Sequence, residues 1–332
     1  MSRCLSLLVL AAALGCAERS AVDAAPAEAP LALGAGVERL DLRIPCGDTR
    51  CAAWLYRPAA PGPAPAVVMG HGFSGTRDIG LAPTAEHFAA AGLAALVFDY
   101  RGFGASGGAE RQLVDPWRQL EDWHAMLAGL RARGDVDPAR LALWGSSLGG
   151  GHALIVAAQD AGVRAVVAQV PLVDSRVEGE ATFYGVRWAA RLLLSAWRDL
   201  GRSWRGASPY EIPAIARRGD FGMIVDDAAY AAFERLVAPD SRYRNAVAAR
   251  SVLTFDEYNP ALQGEAVAAP LLLIASREDR FAPFAAVEAF AATHPNARLE
   301  TVSGDHFDVY SPPVQGRAAE LAAEFLGEQL AP

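Results

Sequence analysis

Six short apolar runs, each followed by a helical pattern, constrain this chain more than any other feature. They cover residues 66–70, 93–99, 140–144, 164–170, 270–276 and 297–302. Runs this short and this rich in apolar strand formers read as strands. Helical patterns lie near 81–91, 115–133, 148–160, 283–293 and 314–329. Strand and helix alternating at this spacing imply an α/β fold, a mostly parallel sheet with helices on both faces. Two further strand-like segments, 37–44 and 51–57, predict a hairpin that adds antiparallel strands at one edge and makes the sheet eight-stranded.

One interval breaks the alternation. Between Val170 and Pro270 no convincing strand is visible, but helical patterns run over 186–200 and 228–237. A structureless loop of that length is improbable inside a compact domain. Residues 172–262 are therefore expected to form a helical cap over the sheet's C-terminal edge. Its aromatics, Phe183, Tyr184, Trp188, Trp197, Trp204 and Phe221, are expected collectively to line an apolar pocket.

Charge removes several function classes. The chain carries 38 acidic against 30 basic residues, a net charge of −8. It lacks the basic balance of a nucleic-acid binder. Every basic residue is arginine; there is no lysine. A phosphate-loop lysine, a Schiff base and a Ser-x-x-Lys acyl-enzyme are all excluded. The chemistry left open at neutral pH depends on histidine.

Gly-x-Ser-x-Gly occurs twice, around Ser106 and around Ser147. As a nucleophile elbow the pattern needs a strand entering and a helix leaving, so that the serine sits on a sharp turn with its hydroxyl exposed. Ser147 has both, in Arg140-Leu-Ala-Leu-Trp-Gly-Ser-Ser147 and the helical pattern that follows. Ser106 lies in a glycine-rich loop with no helix directly after it, and reads as a loop serine. A serine nucleophile needs a base, and the base an orienting carboxylate. Of six histidines, His306 in Gly304-Asp-His-Phe-Asp308 follows the last strand; His71, His87, His124, His152 and His294 read as structural. Asp279 follows the strand 270–276 and is the expected acid, with Asp174 after the preceding strand as its competitor. Asp305 and Asp308 sit too close to His306 to face its ring. For the oxyanion, the backbone N–H groups of Phe73, in His71-Gly-Phe-Ser-Gly75, and of Leu148 are the expected donors.

The order Ser147, Asp279, His306, each after its own strand, resembles the α/β-hydrolase superfamily from about residue 37 onward. Several stretches are similar to a narrower group: His71-Gly-Phe-Ser-Gly-Thr-Arg-Asp78, Phe98-Asp-Tyr-Arg-Gly-Phe-Gly-Ala-Ser-Gly-Gly108, Leu113-Val-Asp-Pro-Trp-Arg-Gln-Leu-Glu-Asp-Trp123 and Gly304-Asp-His-Phe-Asp-Val-Tyr310. They resemble bacterial capped hydrolases labelled dienelactone-hydrolase-like or peptidase-like, related to fungal polyketide acyltransferases. That group commonly reads Gly-Thr-Ser-Phe-Ser-Gly-Gly-His at the elbow, and Gly145-Ser-Ser-Leu-Gly-Gly-Gly-His152 departs from it beside the nucleophile. The resemblance implies a capped serine hydrolase acting on an ester or thioester with an apolar acyl group. No metal or organic cofactor is implied. An acyltransferase, a prolyl-type peptidase, a cofactor-free haloperoxidase and a non-catalytic binding lipoprotein stay open. The peptidase would need carboxylates to hold a substrate amine, for which Glu178, Glu180, Asp226 and Asp227 are available.

The N-terminus reads as an address. An apolar run from Cys4 to Gly15 follows Arg3, fits a secretory signal and is too short to span a bilayer. It ends in Ala13-Leu-Gly-Cys16, which resembles a bacterial lipobox with Cys16 as the lipidated residue; ordinary cleavage in the alanine-rich stretch to Ala25 is the rival. The expected division is signal 1–15, flexible tether 16–36 and catalytic domain 37–332, exported to the periplasm and membrane-bound only through the lipid. Cys46 and Cys51 flank a Gly-Asp turn and are expected to pair in an oxidising compartment.

Overall fold

The computed structural model describes residues 31–34, 36–174, 184–255 and 257–332. The expected signal 1–15, Cys16, the tether up to residue 30, and Glu178, Glu180 and Phe183 lie outside the described residues. The main sheet is built from β1 (Leu31–Ala32), β2 (Val37–Cys46), β3 (Thr49–Pro58), β4 (Ala64–Gly70), β5 (Ala94–Phe98), β6 (Val136–Ser146), β7 (Val163–Gln169), β8 (Leu271–Ser276) and β9 (Ala297–Val302). Their order is β1-β2-β3-β5-β4-β6-β7-β8-β9, antiparallel from β1 to β5 and parallel from β5 onward. Two expectations are corrected here. Among the described residues the sheet has nine strands rather than eight, and the tether does not run unpatterned to residue 36. Gly34 and Gly36 adopt positive φ of 83° and 72°, which turns Leu31 and Ala32 back to pair with Arg39 and Glu38.

The inner parallel strands show why the apolar runs within them are unbroken. In β4, Val68 packs into one core while Val67 and Met69 pack into the other; in β6, Leu141 and Leu143 oppose Ala142 and Trp144. One core is covered by α2 (Pro116–Arg131), α3 (Leu148–Gln159) and α7 (Phe284–Thr293), the other by α1 (Ala82–Ala90) and α8 (Val314–Gln329). Period-2 alternation therefore holds in space although both sets are apolar. At the start of α2, Asp115 accepts hydrogen bonds from the N–H groups of Trp117 and Arg118, with Pro116 at the first helical position. At the sheet's edge, Cys46 and Cys51 form a disulfide across the β2–β3 hairpin. Nearby Asp122 is held by the Arg101 guanidinium at 2.7 Å.

The excursion between β7 and β8 holds α4 (Val186–Ser203), α5 (Asp227–Leu236) and α6 (Pro260–Gln263). It also contains strands where none was expected. Glu211–Ile212 pairs antiparallel with Val247–Ala248, and Ile215–Ala216 parallel with Ile224–Val225. Two-residue bridges are too short to leave a periodic signal in the sequence.

Candidate active site

Ser147 sits between β6 and α3 with φ 57° and ψ −122°, a conformation that side-chain-bearing residues adopt only when their surroundings impose it. The surroundings are glycines. A Cβ on Gly145 would collide with the backbone of Gly149, and one on Gly149 would lie 2.5 Å from the carbonyl oxygen of Gly70. The turn is fixed by hydrogen bonds from Ser147 N–H to the Gln169 carbonyl (2.9 Å) and from Gly150 and Leu172 N–H to the Ser147 carbonyl.

The parallel strands end on one edge of the sheet, and the chemistry collects there, as expected for open α/β sheets. His306, in the loop after β9, places Nε2 3.0 Å from Ser147 Oγ. Its Nδ1 lies 2.7 Å from Asp279 Oδ2, and Asp279, in the loop after β8, is held by the N–H groups of Phe281 and Ala282, both 2.8 Å from Oδ1. Asp279 and His306 are buried. Asp174 does not join them; it accepts a hydrogen bond from Asn259 Nδ2 at 2.9 Å. Asp305 and Asp308 brace the histidine loop: Asp308 accepts from Asp305 N–H, and Asp305 accepts from His306 N–H, each at 2.7 Å.

The segment carrying Phe73 passes directly over the serine, since a Cβ on Gly72 would stand 3.0 Å from Ser147 Cβ. Among the described residues, neither Phe73 N–H nor Leu148 N–H has a protein acceptor. Leu148 begins α3, so its N–H is one of the four that a helix leaves free at its start. Ser106 is placed quite differently. It is buried, donates to the Asp99 carbonyl at 2.6 Å and accepts from Ala52 N–H at 2.8 Å.

None of the other described histidines joins Ser147 and Asp279, and His87 is exposed. His152 is fully buried between Gln119 Oε1 and the Tyr258 hydroxyl, both 2.9 Å away, and burial beside His71 pushes its pKa down to about 3. His71 lines the cavity over Ser147; burial lowers its pKa, so the ring stands there uncharged. His124 meets Gln159 and His294 meets the Gly264 carbonyl.

A cavity of about 340 Å³ opens over Ser147 and His306, at the small end of the range for ligand pockets. The sheet side contributes Phe73, Phe281 and Phe307, and the excursion contributes Trp188, Leu192 and Phe233. No aspartate, glutamate or arginine lines it among the described residues. The aromatic expectation needs correcting at three positions. Trp197 and Trp204 are 60% and 76% exposed, and Phe221 lies under the Arg191 guanidinium outside this cavity. Helix α4 turns the two tryptophans away because Leu192, Ser195, Ala196 and Asp199 occupy its inner face.

A residue that sequence reasoning missed ties these parts together. Arg280, next to Asp279, pairs with Asp226 at 3.1 Å and with Asp305 at 2.8 Å. It thus joins the start of α5 to both loops that carry the acid and the histidine. Asp226 also caps α5 by accepting from Ala229 N–H. Asp227 lies out towards solvent and accepts from Arg218 N–H. An arginine after the acid was visible in the sequence, but its two partners lie 54 and 25 residues away.

The family model described as "Serine aminopeptidase, S33" matches residues 61–307. The chain belongs to that family of hydrolases. Its fold is that of the α/β-hydrolases: the solved structure of the alpha/beta hydrolase GrgF from Penicillium superimposes with a TM-score of 0.76 at 25% identity, covering 88% of this chain and 99% of that one. The quorum-quenching protein AidA of Acinetobacter baumannii is 37% identical over 271 residues, 82% of this chain and 88% of AidA. The thiohydrolase aneE of Aspergillus aculeatus is 38% identical over 126 residues, 38% of this chain and 39% of its own. This member of the family is thus a hydrolase of the ester-acting kind.

Proposed function

We propose that this hydrolase cleaves an uncharged carboxylic ester or thioester with an apolar acyl group through a Ser147–His306–Asp279 triad. The reading rests on one observation: an unbroken hydrogen-bond chain from Ser147 Oγ to Asp279 opens into a cavity that no charged side chain among the described residues lines, apart from what His306 carries in turnover. His306 Nε2 takes the Ser147 proton as Oγ attacks the carbonyl carbon. Asp279 holds Nδ1–H, which fixes the ring in the tautomer with Nε2 free to accept. The N–H groups of Phe73 and Leu148 receive the oxyanion. Collapse of the tetrahedral intermediate breaks the bond to the leaving alcohol or thiol, which departs with the proton from His306. Water, deprotonated by His306, then attacks the acyl-Ser147 ester and releases the acid. The thiohydrolase name of one relative supports a thioester as readily as an ester.

Acyl transfer to an alcohol is the second reading, favoured by the polyketide transferase from Penicillium that is 31% identical over 188 residues. A substrate amine finds little support among the described acids, since Asp226 is committed to Arg280 and to capping α5. Export to the periplasm with an anchor at Cys16 completes the proposal, supported by the Cys46–Cys51 disulfide, which an oxidising compartment would maintain. A chain-length series of p-nitrophenyl esters and acyl thioesters tests the activity, with and without a competing alcohol. Turnover that falls sharply for charged acyl groups and disappears in Ser147→Ala supports it; turnover surviving Ser147→Ala overturns it.

A further inference from the structure

Helix α4 has three faces where a helix at a protein surface normally has two. Its inner face is fixed: Leu192, Ser195, Ala196 and Asp199 are buried, and Asp199 pairs with buried Arg250 at 2.8 Å. A second face is apolar and open to solvent. Val186, Ala190, Leu193, Leu194 and Trp197 follow each other at helical spacing, with Trp204 continuing the line just past the helix end. Leu194 is 71% exposed and Trp204 76%. Beside this stripe runs a third face of arginines, Arg187, Arg191, Arg198, Arg202 and Arg205. Among the described residues none of the five has a carboxylate partner. Arg191 and Arg198 stack on Phe221 and Tyr210, while Arg202 and Arg205 donate to backbone carbonyls.

Packing cannot explain the open stripe, because the Asp199–Arg250 pair prevents the helix from turning it inward. A contiguous exposed apolar patch of this kind marks an interaction surface. The arginines choose the occupant. Five arginines that lack a carboxylate partner among the described residues sit in one strip of a chain whose net charge is −8. A helix with tryptophan and leucine on one side and arginines beside them suits the plane between lipid headgroups and acyl chains. No helix of the described residues is long and apolar enough to cross a membrane.

We propose that α4 docks lengthwise on an anionic phospholipid surface, with Leu193, Leu194, Trp197 and Trp204 in the acyl boundary and the arginines on the phosphates. The contact is independent of any lipid at Cys16. It also places Trp188 and Leu192, which line the catalytic cavity from the inner face, within one helix diameter, about 10–12 Å, of the headgroups.

Vesicle flotation tests this on a chain starting at residue 17, which keeps every described element and lacks the apolar leader and Cys16. Vesicles are phosphatidylcholine alone or mixed with phosphatidylglycerol. The expected result is binding to the mixed vesicles, weakened on the order of fivefold per charge removed in Arg187→Gln/Arg198→Gln/Arg205→Gln and further by added salt. Leu194→Ser/Trp197→Ser should reduce binding by about tenfold or more while leaving kcat on a short soluble ester unchanged, which shows that the variant is folded. Equal binding to neutral vesicles, or binding untouched by both variants, overturns the proposal. So does a dimer in solution that Leu194→Ser/Trp197→Ser dissociates, since the stripe would then belong to a second copy.

Discussion

Ser106 and Ser147 stand in the same five-residue pattern, and their surroundings differ at every level. Ser147 has a positive φ, a helix starting behind it and a histidine 3.0 Å from its oxygen. Ser106 is buried, with both lone pair and proton used by the backbone of Asp99 and Ala52. One hydroxyl faces a histidine at the floor of a cavity; the other bonds the glycine-rich loop to β3. The glycines explain the divergence. Around Ser147 they let β6 and α3 approach so closely that any Cβ would collide. Around Ser106 they serve a loop that wraps Asp99, whose carboxylate accepts from Arg77 N–H and Ala105 N–H.

The largest expected effect separates the two serines outright. Ser147→Ala should lower kcat on a p-nitrophenyl ester by about 10⁴-fold or more. Asp279→Asn should cost about 10³–10⁴-fold, because the histidine loses the partner that selects its tautomer. Asp174→Asn, whose carboxylate faces Asn259, should leave kcat within about twofold. Arg280→Gln comes next. It cuts the link between α5 and the two catalytic loops, and kcat is expected to fall by up to about tenfold with a smaller change in KM.

Ser106→Ala should leave turnover nearly intact and reduce unfolding free energy by about 1–3 kcal/mol, since Ala52 N–H loses its buried acceptor. A denaturant titration beside an activity assay reads both. The last effect is a slope and leaves stability at neutral pH untouched. His152 is neutral in the fold, whereas the unfolded chain takes up a proton there below about pH 6.5. The stability it contributes is present above that pH and is lost as pH falls towards about 3, by up to about 1.4 kcal/mol per pH unit. His71 shifts in the same direction. His152→Gln should flatten the acid limb of a stability–pH curve without changing the serine chemistry.

Much of this was legible because it depends on neighbours in sequence. The apolar runs of the inner strands β4 to β8 announce strands since nearly every residue of each run is buried on whichever face it points to. Ser147 stands out because its strand and helix are contiguous with it. Three features were illegible for physical reasons. The Arg280 clamp depends on three loops converging, and nothing local to Arg280 names Asp226 or Asp305. The paired strands near Ile212 and Ile215 are two residues long, below the length at which period 2 can be seen. The orientation of α4 escaped because its sequence has two apolar faces. Periodicity locates faces without saying which one the fold covers, so Trp197 and Trp204 were expected inside and stand outside.

The contrast between the two serines is tested most directly by fluorophosphonate labelling followed by peptide mass spectrometry on wild type, Ser147→Ala and Ser106→Ala. One adduct is expected, on the peptide containing Ser147, present in wild type and Ser106→Ala and absent in Ser147→Ala. An adduct on Ser106, or label persisting in Ser147→Ala, would contradict the assignment of Ser147 as the nucleophile.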